Sequence, residues 1–545
     1  MPTCGLVPFR TVVPWQPPQQ PPGNGTRTDT LEHMSKKSHN QQSTANQLTR
    51  WLIFLSVSAV LALILLVAAP RIMHRSLFSV ADGASTGTLA VGVTDVPDTL
   101  DIRTANNASL DRVLIGNVYE TLLGRNSDNG ITAGLASSWK TSDDGLTLTF
   151  TLRSGLRFAN GHTLDAASVV WSLQQAVSNK WPGADTKLAA LASVTNPNAT
   201  TVVITLKQPD ATLPRTLSGR LGIVYDSAAN IDYTNQAMGS GPYRIMDFTP
   251  SQRIAFAAVS GSTAKTHTVT VRNYSSDSNL LKVAQSGDVD LAIPSDPASA
   301  DSLADDQNLR VSAGTSENKV TLLYNNDADS IFSDVQARTA LRMMLDKTAL
   351  LKDRSDVAQP LGGPIGPLEP GYEDLTGLIA HNADRGRQLM SYFSSSYIDT
   401  INLVTSETYE PLAQNIAHQL QEQGISVEVS ALSDAGVQDC LSKRNFQLLL
   451  TTINGVDGTA DFADPNGPSR YTNADAQAQY TQAVHATTQE AYENGLKAYA
   501  RTVSSTAASD WLYARKTAVI ASTQLAGYSA QMADERLPLA NIVKQ

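Results

Sequence analysis

One stretch, residues 139–173, constrains the fold more than any other part of the chain. An Asp-Gly turn at residues 144–145 precedes a run in which every second residue from 146 to 152 is apolar, as in a strand with one buried face. An Asn-Gly turn follows at residues 160–161, and Asp165 then occupies the N-cap position of an amphipathic helix. These residues predict a hairpin followed by a helix, and on their own they say nothing about function.

The residue types in this stretch indicate a particular protein family, which its predicted secondary structure alone does not. They resemble the W-x-x-S-x-D-G-x-x-x-T-F-x-L-R-x-G-x-x-F-x-x-G-x-x-L-x-A-x-x-V pattern of family 5 extracellular solute-binding proteins, the peptide- and nickel-type receptors of ABC importers. The matching residues are Trp139, Ser142, Asp144, Gly145, Thr149, Phe150, Leu152, Arg153, Gly155, Phe158, Gly161, Leu164, Ala166 and Val169. Shorter matches at residues 118–123, 239–243 and 287–290 extend the resemblance over residues 88–528.

The resemblance implies a fold and a mechanism. The fold is α/β, a two-lobed periplasmic-binding-protein-like fold of the large peptide-binding type II class, with a hinge between the lobes. Hinge closure buries the ligand and creates a surface for the permease subunits of an ABC importer, which work with their ATPases. Such a receptor needs no catalytic residue, so we expect neither enzyme activity nor a cofactor, and we expect a monomer.

Composition excludes other classes of function. A chain of 545 residues with 41% apolar content is long enough for two or three packed lobes. Its formal net charge of −10 argues against a nucleic-acid partner, because phosphate binding requires clustered Lys and Arg. Its two cysteines, Cys4 and Cys440, are too few for a disulfide framework or a Cys-rich metal site.

The N-terminal part predicts membrane attachment. Residues 1–50 are rich in Pro, Gln and Ser and predict a disordered cytoplasmic segment. Residues 51–70 carry no charge and approach the length of a membrane helix, so we expect a transmembrane signal anchor, followed by a linker at 71–87. A cleaved signal peptide is the alternative, and Met34 is a second possible start. The resemblance places the large C-terminal domain outside the cell, on a single-pass protein of the cell membrane.

The remaining chain divides into two lobes. We expect lobe I to comprise residues 88–315 and the returning segment 515–545, and lobe II to comprise residues 316–514. Lobe II contains a clear βαβ pattern over residues 401–431, with a helix that starts at Pro411, and this predicts parallel strands with a right-handed crossover. In open α/β sheets the ligand crevice lies at the carboxyl ends of the strands.

The expected site follows a buried-type strand at residues 446–452. The next segment, residues 454–465, is polar and rich in Gly, and it contains Gly458, Thr459, Ala460 and Asp461. It is similar to the A-D-Y-x-D-P segment of peptide-binding family members. The resemblance implies that Asp461 pairs with the α-amino group of an oligopeptide, which is the expected ligand.

Three more residues are predicted ligand contacts. Glu120 lies in a match to the family's vyEtL motif, and Tyr324 and Asn325 lie in a match to its yl-x-f-N strand. Peptide binders often carry Trp three residues before the ligand-pairing Asp, whereas this chain has Gly458. An oligosaccharide or a metal chelate therefore stays open as the ligand.

Two other classes of function also stay open. Residues 83–87 formally match the G-x-S-x-G motif of a serine hydrolase, but a Gly/Ser/Thr linker supplies neither the strand nor the helix that this motif requires. A membrane-tethered hydrolase is therefore a remote alternative. A sensory or adhesive receptor that never meets a transporter is the other.

Overall fold

The computed structural model describes residues 87–393, 400–532 and 536–545. The predicted N-terminal segment, the signal anchor and the linker up to residue 86 lie outside the described residues. Within the described ranges, no helix combines the length and the apolar character that crossing a bilayer requires. The described residues from 87 onward belong to one compact unit.

The strands form one large mixed sheet and three small antiparallel ones. In chain order the strands are β1 (Thr88–Val93), β2 (Leu123–Arg125), β3 (Ile131–Ala133), β4 (Ala136–Thr141), β5 (Thr147–Leu152), β6 (Leu191–Asn198), β7 (Thr201–Leu206), β8 (Tyr243–Thr249), β9 (Arg253–Ala258), β10 (Thr268–Asn273), β11 (Leu291–Ile293), β12 (Leu309–Tyr324), β13 (Val357–Pro360), β14 (Ile401–Ser406), β15 (Val427–Leu432), β16 (Leu448–Asn454), β17 (Ser509–Ser522), β18 (Leu525–Ala526) and β19 (Val543–Lys544). The strand order of the large sheet is β15-β14-β16-β12-β17-β11-β1-β10-β9-β8, with β13 paired to β17. The small sheets are β4-β5-β7-β6, β2-β3 and β18-β19.

The helices pack on these sheets. In chain order they are α1 (Ala108–Leu114), α2 (Ala166–Ser178), α3 (Ala184–Lys187), α4 (Leu213–Thr216), α5 (Asp277–Ser286), α6 (Val335–Met344), α7 (Lys347–Leu351), α8 (Ala383–Met390), α9 (Glu410–Glu422), α10 (Asp434–Lys443), α11 (Gly455–Ala460), α12 (Ala474–Val484) and α13 (Gln489–Ser505). Short 3₁₀ turns occur at Arg220–Gly222, Pro297–Leu303, Ile331–Ser333 and Glu407–Tyr409.

Strands β12 and β17 pass through the middle of the large sheet and connect the two lobes. They pair antiparallel along most of their length, but the register shifts between Thr315 and Lys319. Before the shift, β12 pairs only with β17, whose far end also pairs with β11 of lobe I. After the shift, β12 also pairs with β16 of lobe II. The hydrogen-bonded pairing of the two connecting strands is interrupted here, and such an interruption allows the strands to bend.

The core of lobe I confirms the predicted hairpin and helix. Strands β4 and β5 pair antiparallel, with Trp139 opposite Phe150, and the turn between them contains Gly145 at a φ of +71°. Asp165 caps α2 by accepting bonds from the backbone amides of Ala167 and Ser168. A second cluster joins β1, α1 and β10 to the C-terminal residues 519–542.

The βαβ prediction in lobe II is also confirmed. Strands β14 and β15 are parallel, and β14 is parallel to β16 as well. Helix α9 lies between β14 and β15 in sequence, with Pro411 in its first turn. The sequence pattern places the apolar residues of this helix on one face, and that face is buried, as Leu412, Ala413, Ile416, Ala417 and Leu420.

The sequence pattern predicts a helix here with Ser333 as its N-cap and with Arg338 and Arg342 near its polar face, and helix α6 differs in both respects. Asp334 caps the helix, because Ser333 belongs to the preceding 3₁₀ turn. Arg338 and Arg342 are both buried. Their guanidinium groups donate to the carbonyls of Thr506 and Ser504 at the C-terminal end of α13, where a helix leaves backbone carbonyls without their usual intrahelical donors.

Candidate ligand-binding site

Helix α11 lies at the carboxyl end of β16. In open α/β sheets, ligands bind in the crevice at the carboxyl ends of the strands. Strand β16 ends at Asn454, which pairs with Asn318 of β12. Gly455 then adopts a φ of +50°, so the chain turns directly from the strand into the helix. The predicted polar segment therefore begins with a short helix rather than a loop, and this helix sits beside the interrupted part of β12.

A buried lysine holds α11 from the sheet side. The Lys319 Nζ atom donates to the carbonyl of Gly455 at 2.9 Å and to the Thr459 hydroxyl at 3.2 Å, and it forms an ion pair with Glu369. Both charged side chains are almost completely inaccessible to water. The Thr459 hydroxyl lies 2.8 Å from the Glu369 carboxylate, and Tyr499 donates to the Thr459 carbonyl at 2.8 Å. Thr459 is therefore fully engaged within the protein.

Gly458 allows α11 to pack closely on its own strand. A Cβ atom at this position would lie 3.0 Å from the Cβ of Ile453, closer than side-chain carbons normally approach. Ala460, two residues further on, is partly exposed. The helix thus has a packed side, at Gly458 and Thr459, and an accessible side that leads to Asp461.

Asp461 follows α11 directly and is its C-cap residue. Its side chain is partly buried, and none of the described residues forms a hydrogen bond or ion pair with its carboxylate. Burial raises the pKa of Asp461 to about 6, and the neighbouring carboxylates of Asp457 and Asp464 act in the same direction, whereas Lys319 opposes them only in part. A cationic group placed beside Asp461 would remove this penalty.

Lobe I reaches α11 from the other side. The Lys187 Nζ atom in α3 lies 2.7 Å from the Asp457 carboxylate, and both side chains are substantially exposed. The backbone amide of Ala211 donates to the carbonyl of Val484 at the end of α12, at 2.7 Å. The two lobes are therefore in contact at α11 and α12 as well as through the connecting strands.

A third contact between the lobes is buried. Arg215 Nη2 lies 2.7 Å from Glu317 Oε1, and Arg125 Nη1 lies 3.8 Å from Glu317 Oε2. Burial would raise the pKa of Glu317, but the two arginines outweigh it and hold that pKa below its ordinary value. Asn129 also donates to the carbonyl of Leu368, at 2.9 Å.

The remaining predicted contacts lie elsewhere. Glu120 forms an ion pair with Arg153 within lobe I. Tyr324 pairs with Leu448, at the end of β12 and β16 opposite to α11, where it is completely buried and stacks on Phe332. Asn325 donates to the carbonyl of Phe446 at that same end. The structure thus does not bring Tyr324 and Asn325 to α11.

Sequence reasoning missed the buried charges around α11. They are Arg125, Arg215, Glu317, Lys319 and Glu369. One signal was present, because Glu317 and Lys319 immediately precede the apolar strand residues 320–324, where charged side chains need buried partners. Among the described residues, no group of three or more His, Cys, Asp or Glu could hold a metal ion.

The described chain thus has two lobes joined by β12 and β17, with a partly buried carboxylate close to the interrupted part of these strands. The model of the bacterial extracellular solute-binding proteins, family 5, matches residues 130–510. The chain therefore belongs to the family 5 solute-binding proteins of ABC importers, as its motifs predicted.

Individual relatives agree with this assignment. The glutathione-binding protein GsiB of Pectobacterium atrosepticum is 26% identical over 440 residues, covering 76% of this chain and 80% of GsiB. The probable D,D-dipeptide-binding periplasmic protein DdpA of Escherichia coli is 24% identical over 407 residues, covering 69% of this chain and 75% of DdpA. The substrate-binding protein CtaP of Listeria monocytogenes has the same fold, with a TM-score of 0.75 at 16% identity over 85% of this chain and 100% of CtaP.

Proposed function

We propose that the chain is a receptor that captures oligopeptides by lobe closure and delivers them to an ABC import permease. The observation that carries this proposal is the carboxylate of Asp461, which is partly buried and has no partner among the described residues. A peptide's α-ammonium group is a cation that can pair with this carboxylate. The names of GsiB and DdpA, which refer to glutathione and to D,D-dipeptides, support a ligand of peptide character.

The energetics favour a charged ligand group at this position. An ionised carboxylate that is partly removed from water loses hydration free energy unless a cation compensates it. Removing one partner of such a pair in a binding site typically costs about 2–5 kcal/mol. Asp461 would therefore supply a large share of the affinity for a peptide with a free amino terminus, and little for an N-acetylated one.

Closure requires no bond to be broken, so we assign no catalytic residue. Binding free energy selects the closed arrangement of the lobes, which the permease and its ATPases then recognise. The lobe boundaries at 315/316 and 514/515 fall at the interrupted pairing of β12 and β17, which supports the proposed division. Anchoring through residues 51–70, an extracytoplasmic position and a monomeric state are parts of the same proposal.

Thermal unfolding of the full chain tests the ligand class. A ligand that binds only the folded state at 100 times its dissociation constant adds about 2.7 kcal/mol of stability, which shifts the midpoint clearly. We expect a shift with pools of short peptides, and none with N-acetylated versions of the same peptides. Asp461→Asn should abolish the shift, whereas the matched control Asp464→Asn in the same segment should retain it.

Other outcomes would change the assignment. A shift with oligosaccharides or metal chelates, and none with peptides, would replace the ligand class while leaving the receptor function in place. Equal shifts with free and N-acetylated peptides would show that Asp461 does not pair with the amino terminus. The hydrolase alternative depends on Ser85, which lies outside the described residues.

A further inference from the structure

Two charged residues of β12 connect different parts of the molecule. Glu317 is held by Arg125 and Arg215 of lobe I, and Lys319 holds α11 through the Gly455 carbonyl and the Thr459 hydroxyl. Glu317 lies in the interruption of the pairing between β12 and β17, and Lys319 is the residue at which the pairing resumes. The irregular segment of β12 therefore contains both the residue that contacts lobe I and the residue that supports α11.

Glu317 also lies close to the start of α11. Gly455 has no side chain, and the place where a Cβ atom would sit on it is 3.4 Å from Glu317 Oε1, so the carboxylate occupies the space beside this residue. A shift of Glu317 toward or away from the arginines would change its distance from Gly455. Lys319 donates to the carbonyl of the same residue, so both charged side chains lie at the first residue of the helix.

From this arrangement we propose that Lys319 is a positioning residue for Asp461, and that Glu317 and Lys319 couple closure of the lobes to the placement of α11. The proposal rests on the proposed function in one respect, since it takes Asp461 to be the ligand-pairing group. It adds a mechanism by which the position of α11 and the contact of Glu317 with lobe I depend on each other.

The physical reason is the cost of leaving these charges unpaired. Glu317 is buried, so separating lobe I from it would leave a carboxylate without its two cations, and this favours the closed arrangement. Lys319 and Glu369 are almost completely buried and bonded to each other, so they form a rigid support under α11. A ligand cation at Asp461 fixes the accessible side of α11, and the support transmits that constraint to β12 and Glu317.

A purely structural ion pair would behave differently. If Lys319 and Glu369 only stabilise the core of lobe II, their removal lowers the unfolding midpoint but leaves α11 and the lobe contact no more mobile than the rest of the lobe. The pair of the half-buried Lys347 and the buried Asp510 offers a comparison, because its Nζ–Oδ1 distance is 2.6 Å, it also lies within lobe II, and Asp510 keeps Arg342 as a second partner at 3.2 Å. None of its described hydrogen bonds involves α11.

Hydrogen–deuterium exchange of the ligand-free full chain tests the coupling. The variants are Glu317→Gln and the double variant Lys319→Met with Glu369→Gln, in which both charges are removed so that neither remains buried alone. We expect exchange at residues 456–461 to rise at least tenfold in both, with β14 and β15 unchanged. The control, Lys347→Met with Asp510→Asn, should lower the unfolding midpoint without raising exchange at 456–461.

A second readout uses a peptide that binds the wild-type protein. Peptide binding should protect residues 125–129 from exchange in the wild type, and this protection should be lost in Glu317→Gln at saturating peptide. The proposal would be overturned by unchanged exchange at 456–461 in both Glu317→Gln and the Lys319→Met, Glu369→Gln double variant. The same rise in the control variant would also overturn it. The ligand-free measurement stands even when no peptide binds, so failure of the coupling and failure of the peptide assignment give different results.

Discussion

Lys187 of lobe I and Asp457 of lobe II form an ion pair of 2.7 Å, one helical turn before Asp461. It is the exposed counterpart of the buried contact between Arg215 and Glu317, whose two charged atoms lie at the same distance. The two contacts have equal lengths but very different surroundings. Water screens the first and not the second, so we expect them to contribute differently to lobe closure.

Lys187→Ala should have a small effect. Exposed ion pairs contribute roughly 0–1 kcal/mol, because solvent screening and lost side-chain freedom offset the attraction. We expect at most a fivefold loss of peptide affinity in low salt, measured by calorimetric titration. The difference from wild type should disappear near 1 M salt, where charges are screened within about 3 Å. A loss that persists in high salt would contradict this account.

Arg338→Met should destabilise the protein strongly. The Arg338 guanidinium is buried and donates to the carbonyls of Phe332, Ser333 and Thr506. The variant leaves these carbonyls without that donor, and each unsatisfied buried group costs roughly 1–3 kcal/mol. We expect a loss of at least about 2 kcal/mol in the free energy of unfolding, measured with urea. The exposed Arg385 provides the control, since Arg385→Met should change stability by less than about 0.5 kcal/mol.

Arg338 also shows where sequence reasoning stops. The hairpin, the cap at Asp165 and the βαβ unit follow from local patterns, and the structure contains all three. Arg338 has a polar side chain on an amphipathic helix, so its pattern indicates the surface. Its acceptors include Thr506, which is 168 residues away, and no local pattern reveals such a partner.

The candidate site shows the same difference between local and distant information. The segment that contains Asp461 is predicted as a binding site from its position after a buried strand and from its motif, and this assignment stays a prediction. The support of α11 could not, because Glu369 and Glu317 are separated in sequence from the residues they bind. Tyr324 was predicted from a motif match alone, and the length of β12 places it at the strand end away from α11.

Gly458→Leu should destabilise lobe II and reduce peptide affinity. Even a Cβ atom at this position would lie 3.0 Å from that of Ile453, so a larger side chain must displace α11 from β16. Overpacking of this kind typically costs about 1–3 kcal/mol. Ile453→Ala leaves the Cβ atom that causes the overlap in place, so the double variant of Gly458→Leu with Ile453→Ala should be no more stable than Gly458→Leu alone. If Gly458→Leu alone is as stable as wild type, α11 is not held by this contact.

The pH dependence of Asp461 separates stability from binding. Its pKa is raised to about 6 from an ordinary value of 3.8, chiefly by burial, so between these values the folded protein holds a proton that the unfolded chain releases. The stabilisation from this group is therefore full below about pH 4 and is lost as the pH rises through 6. Asp461→Asn has no such loss. We expect its stability relative to wild type to rise from pH 4 to pH 8 in thermal unfolding.

Binding should show the opposite trend. A peptide α-ammonium pairs with the ionised carboxylate, so wild-type affinity should fall about tenfold for each pH unit below 6 as Asp461 takes up a proton. The residual affinity of Asp461→Asn should stay constant over the same range. Titrations between pH 4.5 and 8 measure this directly. Wild-type affinity that is equal at pH 5 and pH 7 would show that the ammonium lies elsewhere. The group that lowers the stability of the free receptor near neutral pH would then not be the one that binds the ligand.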